Sequence, residues 1–308
     1  MPNFVRRAAP VPALVVVLAL LAACVPARAR GADDGRPLVL TTFTVLADVA
    51  RNVGGEHVRV ESLTKPGVEV HGYEPTPGDL RRAAGADLVL DNGLNLEAWF
   101  AQFVQDADVP HVVVSQGVEV IDIADDAYAG TPNPHAWMSP ANVELYVENI
   151  ADALVELVPE HADDVRANAD AYRAELREVQ AELVDGLAAV PEPQRALVTC
   201  EGAFSYLARD AGLAERYVWP VNAEQQATPQ QVAAVIEFVR ERDVPAVFCE
   251  STVSDAAMQQ VVEATGARFG GVLYVDSLTT EDGPVPTYLD LVRHDVRTIV
   301  DGLTGGAS

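Results

Sequence analysis

The chain has 308 residues, with 46 acidic side chains against 21 basic ones and a formal net charge of −25. A surface of this sign repels nucleic acid and anionic lipid and concentrates cations, although solubility or a saline habitat explains an acidic excess equally well. Hydrophobic residues make up 49% of the chain, ample for real cores, so disorder is expected only at the ends and the length favours two domains over one.

Arg6 and Arg7 precede an apolar stretch from Val11 to Ala23, whose 13 residues are too few to cross a bilayer and read as an export signal. Leu21-Ala22-Ala23-Cys24 resembles the box that directs lipidation of bacterial lipoproteins. We therefore expect a signal over residues 1–23, lipid on Cys24 and a flexible tether over 24–36. Ala27-Arg28-Ala29 is the competing site, and cleavage there leaves a soluble protein without Cys24. Loss of residues 1–23 leaves 19 basic and 46 acidic residues, a net charge of −27. No later stretch is long and apolar enough to span a membrane, so attachment, if any, is through lipid.

Beyond the tether, short apolar β-rich runs alternate with amphipathic helical stretches, the pattern of α/β units with parallel strands. Strands are expected at Leu38 to Phe43, Val58 to Leu63, Asp87 to Leu90 and His111 to Val114, and helices at Thr44 to Asn52, Thr76 to Ala84 and Leu96 to Gln105. Thr76-Pro77 supplies a cap followed by proline at the first helical position. A nearly continuous helical region follows, Pro140 to Val158 and Glu160 to Ala188, broken only at Pro159. A second series of strands is expected at Ala196 to Cys200, Arg216 to Trp219, Ala246 to Cys249 and Val272 to Val275, with helices beginning near Ala203, Thr228, Ser254 and Pro286. The reading is two doubly wound α/β lobes, residues 37–158 and 191–308, joined by a long stiff helix over 159–190.

Four candidate metal ligands, His71, His135, Glu201 and Asp276, recur at separations of 64, 66 and 75 residues, each just past an apolar run or in a Pro/Gly-bounded loop. Two imidazoles and two carboxylates, without thiolate, suit Mn²⁺ or Fe²⁺ and are acceptable to Zn²⁺. Open α/β sheets bind ligands beyond the carboxyl ends of their strands, so the expected place is the cleft between the lobes. A metal-dependent hydrolase could use the same donors with a reactive water, but neither an H-E-x-x-H helix nor a G-x-S-x-G elbow accompanies them. Glu74 and Glu250 are candidates for orienting a ligand histidine through its second ring nitrogen, with helix-entry contacts as the plainer alternative. Histidines 57, 111, 161 and 294 read as structural or surface residues, and Trp137 and Trp219 as packing around the cleft. Cys200 and Cys249 end two apolar runs; neighbouring strands would let them oxidise after export. Two buried free thiols is the preferred reading, since spacing does not determine disulfide geometry.

Five segments resemble, in order, the metal-binding solute-binding proteins of bacterial zinc and manganese ABC importers. They are Val70-His71-Gly72-Tyr73-Glu74-Pro75-Thr76-Pro77, Asn133-Pro134-His135-Ala136-Trp137, Val198-Thr199-Cys200-Glu201-Gly202-Ala203-Phe204, Phe248-Cys249-Glu250-Ser251 and Tyr274-Val275-Asp276-Ser277-Leu278. The resemblance covers nearly the whole mature chain. It implies a monomeric binding protein on the extracytoplasmic side of the cell membrane, lipid-anchored and without enzymatic activity. Its partner is then an ABC permease with its cytoplasmic ATPase. Members that look specialised for zinc usually carry histidine at the place of Glu201, often with a His-rich acidic insertion. The loop from Asp122 to Asn133 has no histidine, so the chain resembles the manganese-type branch, with Zn²⁺ or Fe²⁺ as alternatives and a metal-dependent adhesin as another role.

Overall fold

The computed structural model describes residues 35–100, 109–124, 128–221 and 227–306. The export signal, Cys24, most of the tether, Asp125 and Asp126, and the end of the helix expected at Leu96 to Gln105 lie outside the described residues.

In the first sheet, β1 (Leu38–Thr41), β2 (Arg59–Ser62), β3 (Leu88–Asp91) and β4 (His111–Val113) are all parallel, in the order β2-β1-β3-β4. The chain steps one way from β1 to β2 and the other way to β3, so a crevice opens at the carboxyl ends of β1 and β3. The helix α1 (Thr44–Gly54) starts directly off β1, while α2 (Pro77–Ala83) begins at a reciprocal capping box in which Thr76 and Asp79 satisfy each other's backbone N–H groups.

Ser139 caps α3 (Pro140–Leu157), and Pro159 interrupts the helical run with a single 3-10 turn before α4 (Ala162–Leu187). With 26 residues, α4 is about 39 Å long. Val165, Ala169, Tyr172, Leu176, Val179, Leu183 and Leu187 form its buried stripe, at the three- and four-residue spacing of one helix face. The stripe faces both halves of the molecule. Asn168 donates to the Val53 carbonyl at the end of α1, and Glu175 pairs with Arg293 at 3.0 Å.

The second half contains β5 (Ala196–Glu201), α5 (Ser205–Ala211), β6 (Ala214–Trp219), α6 (Pro229–Arg242), β7 (Ala246–Glu250), α7 (Ala256–Thr265), β8 (Arg268–Leu273) and α8 (Tyr288–Thr304). Two parallel ribbons form, β5 with β6 and β7 with β8. Cys200 of β5 and Cys249 of β7 have Cα atoms 4.9 Å apart and are joined by a disulfide, which corrects the expectation of two free thiols. The two cysteines occupy matching positions at the ends of neighbouring strands, so side chains 49 residues apart in sequence fall within bonding reach.

The last strand begins four residues earlier than expected, at Arg268, and ends at Leu273. Gly270 and Gly271 argue against a strand by propensity, yet they allow it here. A Cβ on Gly270 would run into the Phe248 ring, and the ladder slips by one residue so that Phe248 pairs with Gly271. The final helix starts at Tyr288, two residues past Pro286, where Thr287 provides the cap.

From Arg36 onward the chain forms one compact unit, and its main apolar cluster is continuous from Val39 and Leu46 through Trp137, Tyr146 and Leu176 to Val247 and Leu291. Among the described residues, no helix is long and apolar enough to cross a membrane. Leu176 is fully buried in this cluster. Leu176→Ala is expected to destabilise the fold by about 2–5 kcal/mol, seen as a lower urea midpoint at unchanged m-value.

Candidate metal centre

His71 lies in the loop between β2 and α2. Glu69 holds that loop, accepting hydrogen bonds from the backbone N–H groups of His71 at 2.7 Å and Gly72 at 3.0 Å. Asp79 anchors the far end, accepting from Thr76 N at 2.8 Å, Thr76 Oγ1 at 2.7 Å and Tyr73 Oη at 2.9 Å, with the Arg82 guanidinium at 2.7 Å. Burial opposes ionisation of Asp79, but Arg82, Thr76 and Tyr73 outweigh it and hold the pKa below the usual carboxylate range.

His135 follows Asn133-Pro134 at the entry to a 3-10 turn. The Asn92 amide donates to the Pro134 carbonyl at 3.0 Å, and Tyr146 Oη donates to Asn92 Oδ1 at 2.6 Å. Glu97 underlies this support, accepting from Thr42 Oγ1, Asn92 N and Gly93 N at 2.7, 2.8 and 3.1 Å. Burial pushes the Glu97 carboxyl up to about 8.

The Asn133 amide is oriented by its donation to the Gly202 carbonyl at 2.7 Å, which turns Oδ1 toward His135 Nδ1 at 2.9 Å. An amide oxygen only accepts, so Nδ1 carries the proton and Nε2 keeps its lone pair for the cleft.

From the second half, Glu201 is the last residue of β5, and Asp276 lies three residues beyond β8. Glu250 Oε2 accepts the Glu201 backbone N–H at 3.1 Å. Asp276 is fixed by its neighbours. Trp137 Nε1 donates to the Val275 carbonyl at 3.1 Å, and Ser277 Oγ is 3.3 Å from Thr44 Oγ1 at the start of α1.

The four side chains meet. His71 Nε2 and His135 Nε2 are 2.9 Å apart; Glu201 Oε1 is 3.8 and 3.7 Å from them, and Asp276 Oδ1 is 3.8 and 3.9 Å away. Donor atoms about 2.1 Å from a tetrahedral ion stand about 3.4 Å apart, a value these separations bracket. Both carboxylates and His135 are essentially inaccessible, and the His71 side chain is 8% exposed. Among the described residues, Asp276 Oδ1 meets no hydrogen-bond donor.

Burial, reinforced by Glu201 and Glu69, raises the Asp276 pKa well above its usual value, whereas burial lowers both imidazoles, His135 most and with His71 adding to it. A divalent cation would meet two neutral nitrogens and offset two buried negative charges.

Sequence reasoning missed Asn133 and Glu69. Asn133 precedes proline and reads as turn punctuation; its place two residues before His135 was the available signal. The Glu69 carboxylate lies close to the ligand atoms of His71 and Asp276. Glu74 is exposed and bonds to neither imidazole, and Glu250 backs Glu201 instead of a histidine. Trp137 packs on His135 with ring centroids 5.1 Å apart, and Trp219 sits beside Glu201 in the β5–β6 ladder. His111 pairs with Asp91 at 2.9 Å, and His294 lies 3.0 Å from the Val272 carbonyl.

Comparison with known proteins defines the class first: solute-binding proteins of transport systems, not enzymes. The family model for the zinc-uptake complex component A, periplasmic (ZnuA), matches residues 39–302, and the chain belongs to that family. It is 49% identical to the iron-binding protein YfeA of Yersinia pestis, with 96% of each chain covered. It is 36% identical to the manganese-binding lipoprotein MntA of Halalkalibacterium halodurans, over 94% of this chain and 97% of the relative. The solved Mn-bound periplasmic metal binding protein from Candidatus Liberibacter asiaticus superposes with a TM-score of 0.81 at 37% identity, covering 87% of this chain and 100% of that one. The protein is thus a metal-binding substrate-binding component of an ABC transporter.

Asn133→Ala should leave His135 unoriented and weaken metal binding about 10–100-fold by calorimetry. The raised Glu97 pKa means that the native state keeps a proton the unfolded chain loses above the ordinary carboxylate pKa. Its stabilising contribution is therefore complete below about 4.5 and is lost as pH rises toward about 8. Glu97→Gln, a mimic of the protonated acid, should flatten the decline in melting temperature across that window.

Proposed function

We propose that the protein captures a divalent transition-metal ion outside the cytoplasmic membrane and delivers it to an ABC permease driven by a cytoplasmic ATPase, with Mn²⁺ as the cargo. His71, His135, Glu201 and Asp276 are the ligands. The observation that carries this reading is the buried pair of imidazole nitrogens 2.9 Å apart, with a carboxylate oxygen from each of two distant segments within 3.9 Å. Two carboxylates neutralise a divalent ion exactly in charge count, and two oxygen donors beside two nitrogens make a harder site than imidazoles alone.

Iron is the second reading, favoured by the 49% identity to a relative named as iron-binding. By the Irving–Williams order the same donors hold Zn²⁺ at least as tightly as Mn²⁺, so affinity does not identify the ion carried. Lipid on Cys24 would tether a monomer to the outer face of the cell membrane. The segments 37–158 and 191–308 act as lobes on the 159–190 helix, and completion of the coordination shell would signal loading to the permease.

Thermal unfolding of chelator-treated protein tests binding directly. Free metal at a hundred times the dissociation constant should add about 2.7 kcal/mol of stability, and Asp276→Ala should remove most of the shift. An unchanged melting temperature with Mn²⁺, Fe²⁺ and Zn²⁺ alike would end the proposal. Uptake of Mn²⁺ against Fe²⁺ in a deletion strain separates the two cargoes.

A further inference from the structure

Away from the buried centre, His57, His161 and Asp164 meet where the end of α1 runs against the start of α4. Gly55 turns the chain out of α1 at φ +56, a conformation that suits glycine. A Cβ there would stand 3.1 Å from Asn168 Nδ2 of α4, and Asn168 itself donates to the Val53 carbonyl at 3.2 Å. This close approach sets the His57 ring on the His161 ring, with centroids 3.8 Å apart and planes 16° from parallel. His57 Nε2 lies 3.1 Å from Asp164 Oδ2. One ligand atom from each of the three residues lies within 4.8 Å of the other two.

An ordinary His–Asp pair accounts for His57 and Asp164 but gives no reason for the second imidazole, which would repel the first if both were protonated. A cation shared by one nitrogen of each ring and the carboxylate uses all three groups. We infer that His57, His161 and Asp164 form a second cation site, for a borderline divalent ion such as Zn²⁺, Ni²⁺ or Cu²⁺.

The rings are stacked, so their in-plane lone pairs run side by side. Convergence on one ion requires His161 to turn, and its partly exposed side chain is not locked in the core. The Asp164 side chain is 66% exposed, leaving water to fill the remaining coordination positions. The positive end of α4 would oppose a cation, but Glu160 and Asp163 accompany Asp164 in the same turns and offset it. Two imidazoles with one carboxylate select ions later in the Irving–Williams series than the carboxylate-balanced buried centre does.

The test is Zn²⁺ stoichiometry on tag-free, chelator-treated protein, by equilibrium dialysis and elemental analysis. The native chain should bind two ions and the His57→Gln/His161→Gln double variant one. If the buried centre holds no metal, these become one and none, so the two proposals fail separately. Equal stoichiometry in the native chain and the double variant overturns the second site. Histidine-ring NMR of the unaltered protein guards against misfolding of the variant. The His57 and His161 signals should shift or broaden as Zn²⁺ is added, and signals that stay put overturn the inference.

Discussion

The organisation of this molecule depends on keeping two carboxylates and two imidazoles together in a spot from which water is almost excluded. Burial disfavours ionisation there, and like charges reinforce it, Glu201 and Glu69 for Asp276 and His71 for His135. The surrounding polar groups prevent the donors from relaxing apart. Asn133 ties His135 to the Gly202 carbonyl, Thr44 joins the start of α1 to Ser277, and Glu250 grips the Glu201 backbone. The segments carrying His135, Glu201 and Asp276 are thus held by groups from elsewhere in the chain, while Glu69 holds the His71 loop locally.

The same contacts restrict how the halves can move. Tyr288 donates its backbone N–H to Asp48 and its hydroxyl to the Trp137 carbonyl, linking α8 to elements of the first half at 2.9 and 2.6 Å. Beneath them the apolar cluster passes without a break from one set of strands to the other. A wide hinge opening would expose that cluster, whereas small adjustments at the rim leave it intact. The stiffness of α4 and the continuity of the core therefore act in the same direction.

Much of this was legible in the chain itself. Alternating β-rich and amphipathic runs announced parallel α/β units, Thr76-Pro77 marked a helix start, and the four candidate ligands stood out by following strands or sitting in Pro/Gly-bounded loops. What escaped was decided by tertiary approach. Gly270 leaves room for the Phe248 ring and Gly271 for the Thr298 methyl, so β8 uses glycines that propensity counts against a strand. The disulfide depended on β5 and β7 ending level with one another. Glu250 looked able to serve a histidine, but which atom it reaches is set by strand adjacency, and Glu69 and Asn133 resembled ordinary loop residues until the loops folded against each other.

The placement of Trp137 has a practical corollary. Its indole lies against His135 on one side and is moored through Nε1 to the carbonyl preceding Asp276, so any change in charge at the donors alters the electric field across the chromophore. The protein thus carries a built-in fluorophore beside the four proposed donors, and with metal held there its emission would give a label-free optical record of filling and emptying in real time.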